Sequence, residues 1–394
     1  MKILFIHNYY QYYGGEETYF HSVLKLLKEK GHKVKTYTKD SKDIKTTWDK
    51  IKVGIGLFWN KQVEMELSEI IKDFKPDIAH INNIYPLIGA TVYSICSKHN
   101  IPVIQRMPDF RLICPKGILY KQGKICELCI YKSFKYPSIL NKCYHNSFIA
   151  SFILSLSIYY HNHFRTFKTI NKYVFQADFI QDFFIKHTHI PLSKTVILPH
   201  FVHNAALTKA DNGNYFLFVG RLSEEKNIIP LLKIFAALPN IRLKVIGDGP
   251  LRSQVQKYSI YKNIEIKGHL SRSEVLNYMK NALFTIIPSH WYETGPFVLM
   301  ESYSVSTPVI APRLGVFNKQ ILENKTGLFY NQTNYQDLKN KILTAYNNPQ
   351  IAYKMRKYVK REFNTRYTDK KHYSGLMNIY TNSINEVKNH VILR

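Results

Sequence analysis

The chain has 394 residues, enough for two domains with separate cores, and its 45% hydrophobic content is that of a folded globular protein. Lys+Arg number 55 against 28 Asp+Glu, a net charge of +27, which favours anionic partners. No arginine-rich tract, zinc-finger spacing or RNA-binding signature accompanies that charge, so nucleic acid is not the expected partner. No run approaches the roughly 18 apolar residues that span a bilayer.

Met1–Ile6 is a short apolar run with no small-residue cleavage site behind it, so no secretory signal is read and a cytoplasmic location is expected. Lys2–His7 reads as a buried first strand. Asn8-Tyr-Tyr-Gln-Tyr-Tyr-Gly-Gly-Glu-Glu17 follows, then a helical pattern to Lys30 that stops at Gly31. Adjacent Gly14 and Gly15 make either a plain turn or a loop whose backbone can approach a ligand closely. The loop lacks the G-x-G-x-x-G of a dinucleotide site. Val34–Tyr37 reads as the second strand, and 40–61 is polar and receives no assignment. Gln62–Phe74 reads as a helix ended by Pro76. Asp77–Asn82 is a strand with polar residues at its C-terminal end, where open α/β sheets place ligands. His80, Asn82 and Asn83 are therefore either site residues or hydrogen-bonded structural ones.

Pro102–Asp109 is the next strand and loop. It leads into Cys114, Cys126, Cys129 and Cys143, a C-x11-C-x2-C-x13-C arrangement. Two readings stand: a tetrahedral structural zinc site, or small buried side chains. Four thiolates leave no open position for a catalytic metal, and in a reducing compartment no disulfide is expected. Phe148–Thr169 reads as an aromatic, basic helix, either a core helix with a solvated flank or one lying on an anionic membrane surface. Tyr173–Ile180 and Thr195–Pro199 read as strands, and 205–214 as a linker.

The strand–helix alternation then restarts. Tyr215–Gly220 is a strand, followed by Arg221-Leu-Ser-Glu-Glu-Lys-Asn227 and a helix to Ala237. Arg242–Ile246 is the next strand, with Gly247-Asp-Gly-Pro250 at its end. Ile264–Lys267, a helix over Arg272–Asn281, the strand Ala282–Pro288 and the strand Thr307–Ala311 complete the pattern. Two doubly wound domains facing across a cleft are predicted. Arg221 and Lys226 in the first loop of the second domain suit a pyrophosphate, or are surface charge.

The most informative stretch is Ser289-His-Trp-Tyr-Glu-Thr-Gly-Pro-Phe-Val-Leu-Met-Glu301. It lies between a buried strand and a helix predicted over Phe297–Val305, with Pro296 at the first helical position. A helix N-terminus presents unpaired backbone N–H groups and partial positive charge, a seat for phosphate. Glu293 and Glu301 stand in an E-x7-E spacing. Carboxylates accept hydrogen bonds from hydroxyl groups, so a ligand with hydroxyls on both sides of a phosphate bridge, a sugar nucleotide, fits.

With these residues placed, the chain resembles the retaining glycosyltransferases of family 4, which have the GT-B fold. The resemblance covers nearly the whole chain. It is strongest in Gly220-Arg-Leu-Ser-Glu-Glu-Lys226, Gly247-Asp-Gly-Pro250, Gly268-His-Leu270, Pro288-Ser289, Glu293…Glu301, Thr307-Pro-Val-Ile310 and Thr326-Gly-Leu328. Asp109-Phe-Arg-Leu-Ile-Cys-Pro115 looks like a cysteine-rich subgroup of bacterial surface-polysaccharide synthesis. The resemblance implies that Arg221 and Lys226 hold the donor diphosphate and that Gly268, His269 and Leu270 contact the base. It implies that Glu293, Thr294, Gly295, Pro296 and Phe297 hold donor sugar and phosphate, that Glu301 binds ribose, and that Gly14, Gly15 and Gly220 let backbone approach the phosphates. His80, Asn82 and Asp109 are candidates on the acceptor or sugar side. Pro108 stands where many relatives have histidine, and Ser306 where glycine is usual.

The expected organisation is therefore an acceptor-side Rossmann-like domain over 1–205 with a Cys-rich segment at 109–146. A nucleotide-sugar domain over 214–366 follows, and a helical segment over 367–394 returns to the first domain. The expected reaction moves a sugar from a UDP- or GDP-sugar to a glycan or lipid diphosphate-linked acceptor with retention of configuration, at an anionic membrane surface. No Asp-x-Asp occurs in the chain, so no cofactor is expected to be required for catalysis. Glu293, Arg221 and Lys226 are the expected catalytic residues. The alternatives are a nucleotide-sugar-binding protein without turnover, or another GT-B enzyme such as an epimerase or phosphorylase.

Overall fold

A computed structural model describes residues 1–11, 14–164, 166–203 and 213–392. Tyr12, Tyr13 and Arg165, and nearly all of the linker expected at 205–214, lie outside the described residues. The chain divides into two compact units, one of Met1–Leu119, Glu127–Leu198 and Tyr373–Arg394, the other of Tyr120–Cys126 and Pro199–His372.

In the first unit, β1 (Lys2–Tyr9), β2 (Lys33–Asp40), β3 (Ile78–Asn83) and β4 (Val103–Arg106) belong to a parallel sheet. After the antiparallel hairpin β5 (Tyr120–Lys121) and β6 (Lys124–Ile125), which groups with the second unit, the sheet gains β7 (Lys172–Phe175) and β8 (Thr195–Ile197). The order is β2-β1-β3-β4-β7-β8. Ile3, Leu4, Phe5 and Ile6 of β1 are fully buried because the strand lies inside the sheet with cover on both faces. Edge strand β2 alternates exposed and enclosed residues and turns Lys33 and Lys35 outward. Helices α1 (Gly15–Glu29), α2 (Thr47–Gly56), α3 (Lys61–Phe74), α4 (Thr91–Lys98), α5 (Tyr136–Leu140), α6 (Phe148–His163) and α7 (Asp178–His187) complete the connections.

Three elements differ from the sequence reading. The unassigned stretch holds α2, started by a reciprocal cap: the Asp49 amide donates to Thr46 Oγ1 at 3.1 Å and the Thr46 amide to Asp49 Oδ2 at 2.8 Å. The expected strand Tyr173–Ile180 stops at Phe175, and Ile180 belongs to α7. There Ile180 and Phe184 recur four residues apart on the buried face, a helical period. The expected single helix Phe148–Thr169 ends at His163, and a separate 3-10 turn covers Thr166–Thr169.

The second unit carries β9 (Tyr215–Val219), β10 (Arg242–Ile246), β11 (Ile264–Gly268), β12 (Phe284–Ile286), β13 (Val309–Pro312) and β14 (Gly327–Tyr330). They are parallel, in the order β11-β10-β9-β12-β13-β14. This is the doubly wound arrangement, with the reversal of strand order between β9 and β12. Helices α8 (Ile228–Ala236), α9 (Arg252–Gln256), α10 (Arg272–Asn281), α11 (Phe297–Ser304), α12 (Phe317–Gln320), α13 (Tyr335–Asn347) and α14 (Gln350–Arg366) follow in turn. Helix α15 (Asp369–Ile392) begins in this unit, and from Tyr373 onward it packs within the first. Tyr380 Oη lies 2.7 Å from His80 Nδ1, and Glu386 pairs with Lys172 at 2.7 Å.

The loops leaving β9, β10 and β11 are locked together by backbone bonds: Leu222 to Asp248 O at 2.9 Å and Gly247 to Gly268 O at 2.8 Å. Gly247 has φ +143, and a Cβ there would stand 1.9 Å from the Gly220 carbonyl oxygen. Gly247→Ala is therefore expected to destabilise the second unit by about 3 kcal/mol or more, read as a lower unfolding midpoint in urea. An unchanged midpoint would show that these loops separate freely.

Candidate active site

At the strand-order reversal, two loops converge. Ser223–Asn227 leaves β9 through a 3-10 turn and closes on Asn227 in the left-handed region. Ser289–Pro296 leaves β12, and its His290 amide donates to Glu225 O at 2.9 Å, pinning the loops to each other. That placement brings Lys226 Nζ to 2.6 Å from Glu293 Oε1, and Ser289 Oγ donates to the same oxygen at 2.6 Å. Glu293 is 5% exposed. Its carboxylate is held by an ammonium and a hydroxyl, a fixed charge-assisted arrangement. The ammonium also lies over the Trp291 ring, 5.2 Å from its centroid. Among the described residues neither the indole Nε1 nor His290 Nδ1 has a hydrogen-bond partner, although both atoms are enclosed.

Helix α11 begins at Phe297, one residue later than a proline in the first helical position requires, so Pro296 is its N-cap. No side chain caps it, which leaves its first N–H groups available to an anion. The Phe297 ring stacks on His200 at 4.7 Å and fixes the helix start. Glu301 lies one turn on and pairs with Arg272 Nε at 3.4 Å. Burial raises its carboxyl above the usual range, and Arg272 opposes the shift. Gly220, Arg221 and the Gly268–Leu270 turn sit at the C-terminal ends of β9 and β11. Arg221 and His269 are exposed, whereas Leu270 packs on the core beneath.

A second polar cluster lies at the C-terminal end of the first unit's sheet. A cavity of ≈ 30 Å³ there is lined by Asn82, Tyr85, Gln105, Asp109 and Arg111, among others. Arg111 pairs with Asp109 at 3.0 Å and donates to Tyr10 Oη at 3.2 Å. Asn82 accepts from Arg106 at 2.9 Å, and its amide lies 2.8 Å from His7 Nδ1. Burial, aided by Arg106, lowers His7 to about 3, so the ring is neutral and carries its proton on Nε2. Among the described residues Tyr85 Oη, both amide atoms of Gln176 and Glu16 Oε2 are enclosed without a hydrogen-bond partner. An unmet buried group costs about 1–3 kcal/mol, so a set of them at the ligand-bearing edge of an open sheet marks a binding surface.

Glu16 and Glu17 divide the work of the first turn of α1. Glu17 accepts the Gly14 amide at 2.8 Å and the Tyr10 amide at 3.1 Å. The Gly14 amide is thereby engaged by the helix cap. Glu16 is partly exposed as a residue, but its Oε2 is enclosed. Burial, reinforced by Asp109 and opposed by Arg106, raises its carboxyl to about 8. His80, by contrast, is interior: its ring lies 4.5 Å from Phe5 and does not line the cavity. The sequence reading missed Glu16, Tyr85, Arg106 and Arg272. The only local signal was the doubled Glu16-Glu17 after two glycines, since one glutamate suffices for the cap.

None of the five cysteines is in a disulfide. Among the described residues no group of three or more His, Cys, Asp and Glu side chains is placed to hold a metal ion. Cys114 and Cys129 are buried, burial raises the Cys129 thiol to about 12, and Lys135 Nζ donates to the Cys129 carbonyl at 3.1 Å.

Residues 202–362 match the family described as glycosyl transferases group 1. An uncharacterized glycosyltransferase of Methanocaldococcus jannaschii is 28% identical over 191 residues, 48% of this chain and 54% of that protein, so the match spans about half the relative's length. An uncharacterized 42.6 kDa protein of the Klebsiella pneumoniae cps region is 24% identical over 349 residues, 80% of this chain and 86% of that protein. In fold, the chain is similar to Anabaena HepE in complex with UDP, with a TM-score of 0.68 and 13% identity, covering 97% of this chain and 100% of that one. With two parallel doubly wound sheets, the chain has the α/β fold of its GT-B structural neighbours, and residues 202–362 of its second unit are similar to group 1 glycosyltransferases.

Proposed function

We propose that the protein transfers a sugar from a nucleoside diphosphate sugar to a hydroxyl of a glycan or lipid-linked acceptor, with retention of configuration, in surface-polysaccharide assembly. The observation that carries this reading is the Lys226–Glu293 pair beside the uncapped start of α11. As the bond from sugar C1 to the diphosphate breaks, negative charge grows on the leaving phosphate. Lys226, Arg221 and the α11 amides stabilise it where it forms. Glu293 orients Lys226 and accepts hydrogen bonds from sugar hydroxyls; Glu301, levelled by Arg272, accepts from the ribose. The acceptor proton passes to the leaving phosphate oxygen on the same face, which leaves no need for a separate general base.

The bound UDP of HepE supports a uridine nucleotide as the first donor to try, and the cps-region relative supports a polysaccharide context. On the first unit, the Asn82–Asp109–Arg111 cluster receives acceptor hydroxyls, with Glu16 as a neutral hydrogen-bond donor. The net charge of +27 supports work at an anionic membrane surface.

Nucleotide release from UDP-, GDP- and ADP-sugars, with and without membrane lipid extract, tests the reading. Release from one donor, abolished by Arg221→Ala, supports it; binding without release would make the protein a nucleotide-sugar-binding protein. Glu301→Ala is expected to raise the donor KM about 10- to 100-fold with kcat within threefold, the size of a lost charge-assisted hydrogen bond. A fall in kcat with unchanged KM would place Glu301 away from the ribose.

A further inference from the structure

We infer that the outer faces of α2 and α6 form one docking surface for an anionic lipid bilayer. The two helices are neighbours. The place of a Cβ on Gly54 lies 3.4 Å from Ile153, Ser157 Oγ donates to Leu57 O at 2.9 Å, and the Phe58 and Tyr160 rings are 5.6 Å apart. Gly54 is buried in this contact. The opposite face of α2 carries Trp48, Ile51 and Ile55, spaced three and four apart and exposed, Trp48 by 62% and Ile55 by 65%. Helix α6 buries Ser151, Leu154, Ser155, Ser157, Ile158 and His161 and leaves Phe148, Ile149 and Phe152 outside, Ile149 at 68% exposure. Its serines face inward: Ser155 lies 2.8 Å from Ser138 Oγ of α5. Both helices thus carry exposed apolar side chains in addition to the faces they pack inward, more than a solvated surface helix usually shows.

The charge around this face selects the occupant. Residues 128–177 contain no Asp or Glu, a run of fifty positions. The Asp49 carboxylate on α2 is taken up by the Thr46 and Lys45 amides. Lys52 lies over the Trp48 ring at 6.0 Å and Lys132 over the Tyr136 ring at 5.7 Å. Lys50 and Lys142 are exposed nearby in the chain. Aliphatic stems laid on aromatic rings with ammonium groups outward are how side chains meet lipid tails and anionic headgroups together. Among the described residues no helix is long and apolar enough to cross a membrane, so the contact is with the surface of the bilayer. The inference rests on this geometry and not on the transferase reading.

Flotation with vesicles of phosphatidylcholine, alone or with about one third phosphatidylglycerol, tests it. The intact chain is expected to float with the anionic vesicles at low salt and not with the neutral ones. Trp48→Ser/Ile55→Ser and Phe148→Ser/Ile149→Ser are each expected to lower partition at least about tenfold. Lys50→Ala and Lys52→Ala are each expected to lower it about fivefold. Leu192→Ser/Ile260→Ser, at exposed apolar positions off this face, changes nothing. In Trp59→Phe/Trp291→Phe protein, Trp48 emission shifts to the blue and is quenched by brominated lipid. Equal partition of all variants would overturn the inference. So would loss of a concentration-dependent dimer, in place of vesicle binding, in the two serine pairs. The vesicles carry no sugar and no donor is added, so failure here leaves the donor chemistry standing.

Discussion

Lys226→Ala is expected to lower donor turnover about 100- to 1,000-fold, the loss that follows when one fixed positive group is removed from a developing oxyanion. The size follows from the site's enclosure. The Lys226 side chain is 23% exposed and that of Glu293 6%, so water screens the pair weakly. The same substitution also leaves the Glu293 carboxylate buried without its cation, at a cost of about 3 kcal/mol to stability. Lys226→Met/Glu293→Gln separates the two effects. It removes the stranded charge and regains the unfolding midpoint, while turnover stays low because only Arg221 is left of the two cations that face the leaving phosphate. If the double variant recovered turnover along with stability, the pair would be holding the loops together and nothing more.

The second large effect is a pH dependence that belongs to Glu16. With its carboxyl raised to about 8 by burial and by Asp109, Glu16 is expected to be neutral at pH 7 and able to donate a hydrogen bond to an acceptor. Turnover that needs this donor falls about tenfold per pH unit above 8. Glu16→Gln keeps a neutral donor at every pH and removes that limb, so the two proteins differ about 30-fold near pH 9.5. Stability gives an independent reading. The folded state holds the proton from pH 4.5 to 8 while the unfolded chain has lost it. Stability from this group is thus fully present below about 4.5 and is lost as pH rises through 8. The midpoint of the native protein, relative to Glu16→Gln, is expected to fall across that window and level off above it. Parallel midpoint curves would show an ionised Glu16 at neutral pH.

Much of this was legible in the chain itself. Val219-Gly-Arg221 after an apolar run, and Glu293 eight residues before Glu301, name the second unit's loops because strand ends and helix starts are local decisions of pattern and capping. Helix α2 was equally legible in principle, since Thr46 and Asp49 spell its cap. It was passed over because its apolar residues face outward and mimic no buried helix. The strand ending at Phe175 was overread because Phe179 and Ile180 continue an apolar run whose period changes from two to three and four.

The sequence by itself determined the two parallel sheets, the basic loop after β9 and the acidic loop after β12. Each depends on neighbours within about ten positions. Only the tertiary structure decided which charges meet. Lys226 reaches Glu293 across 67 positions, and Asn82 reaches His7 across 75. It also decided that Glu17 caps the helix while Glu16 Oε2 is enclosed, and that burial raises the Cys129 thiol. A side chain's partner and its exclusion from water are set by chain segments far apart in sequence, and those two quantities fix its charge and its chemistry.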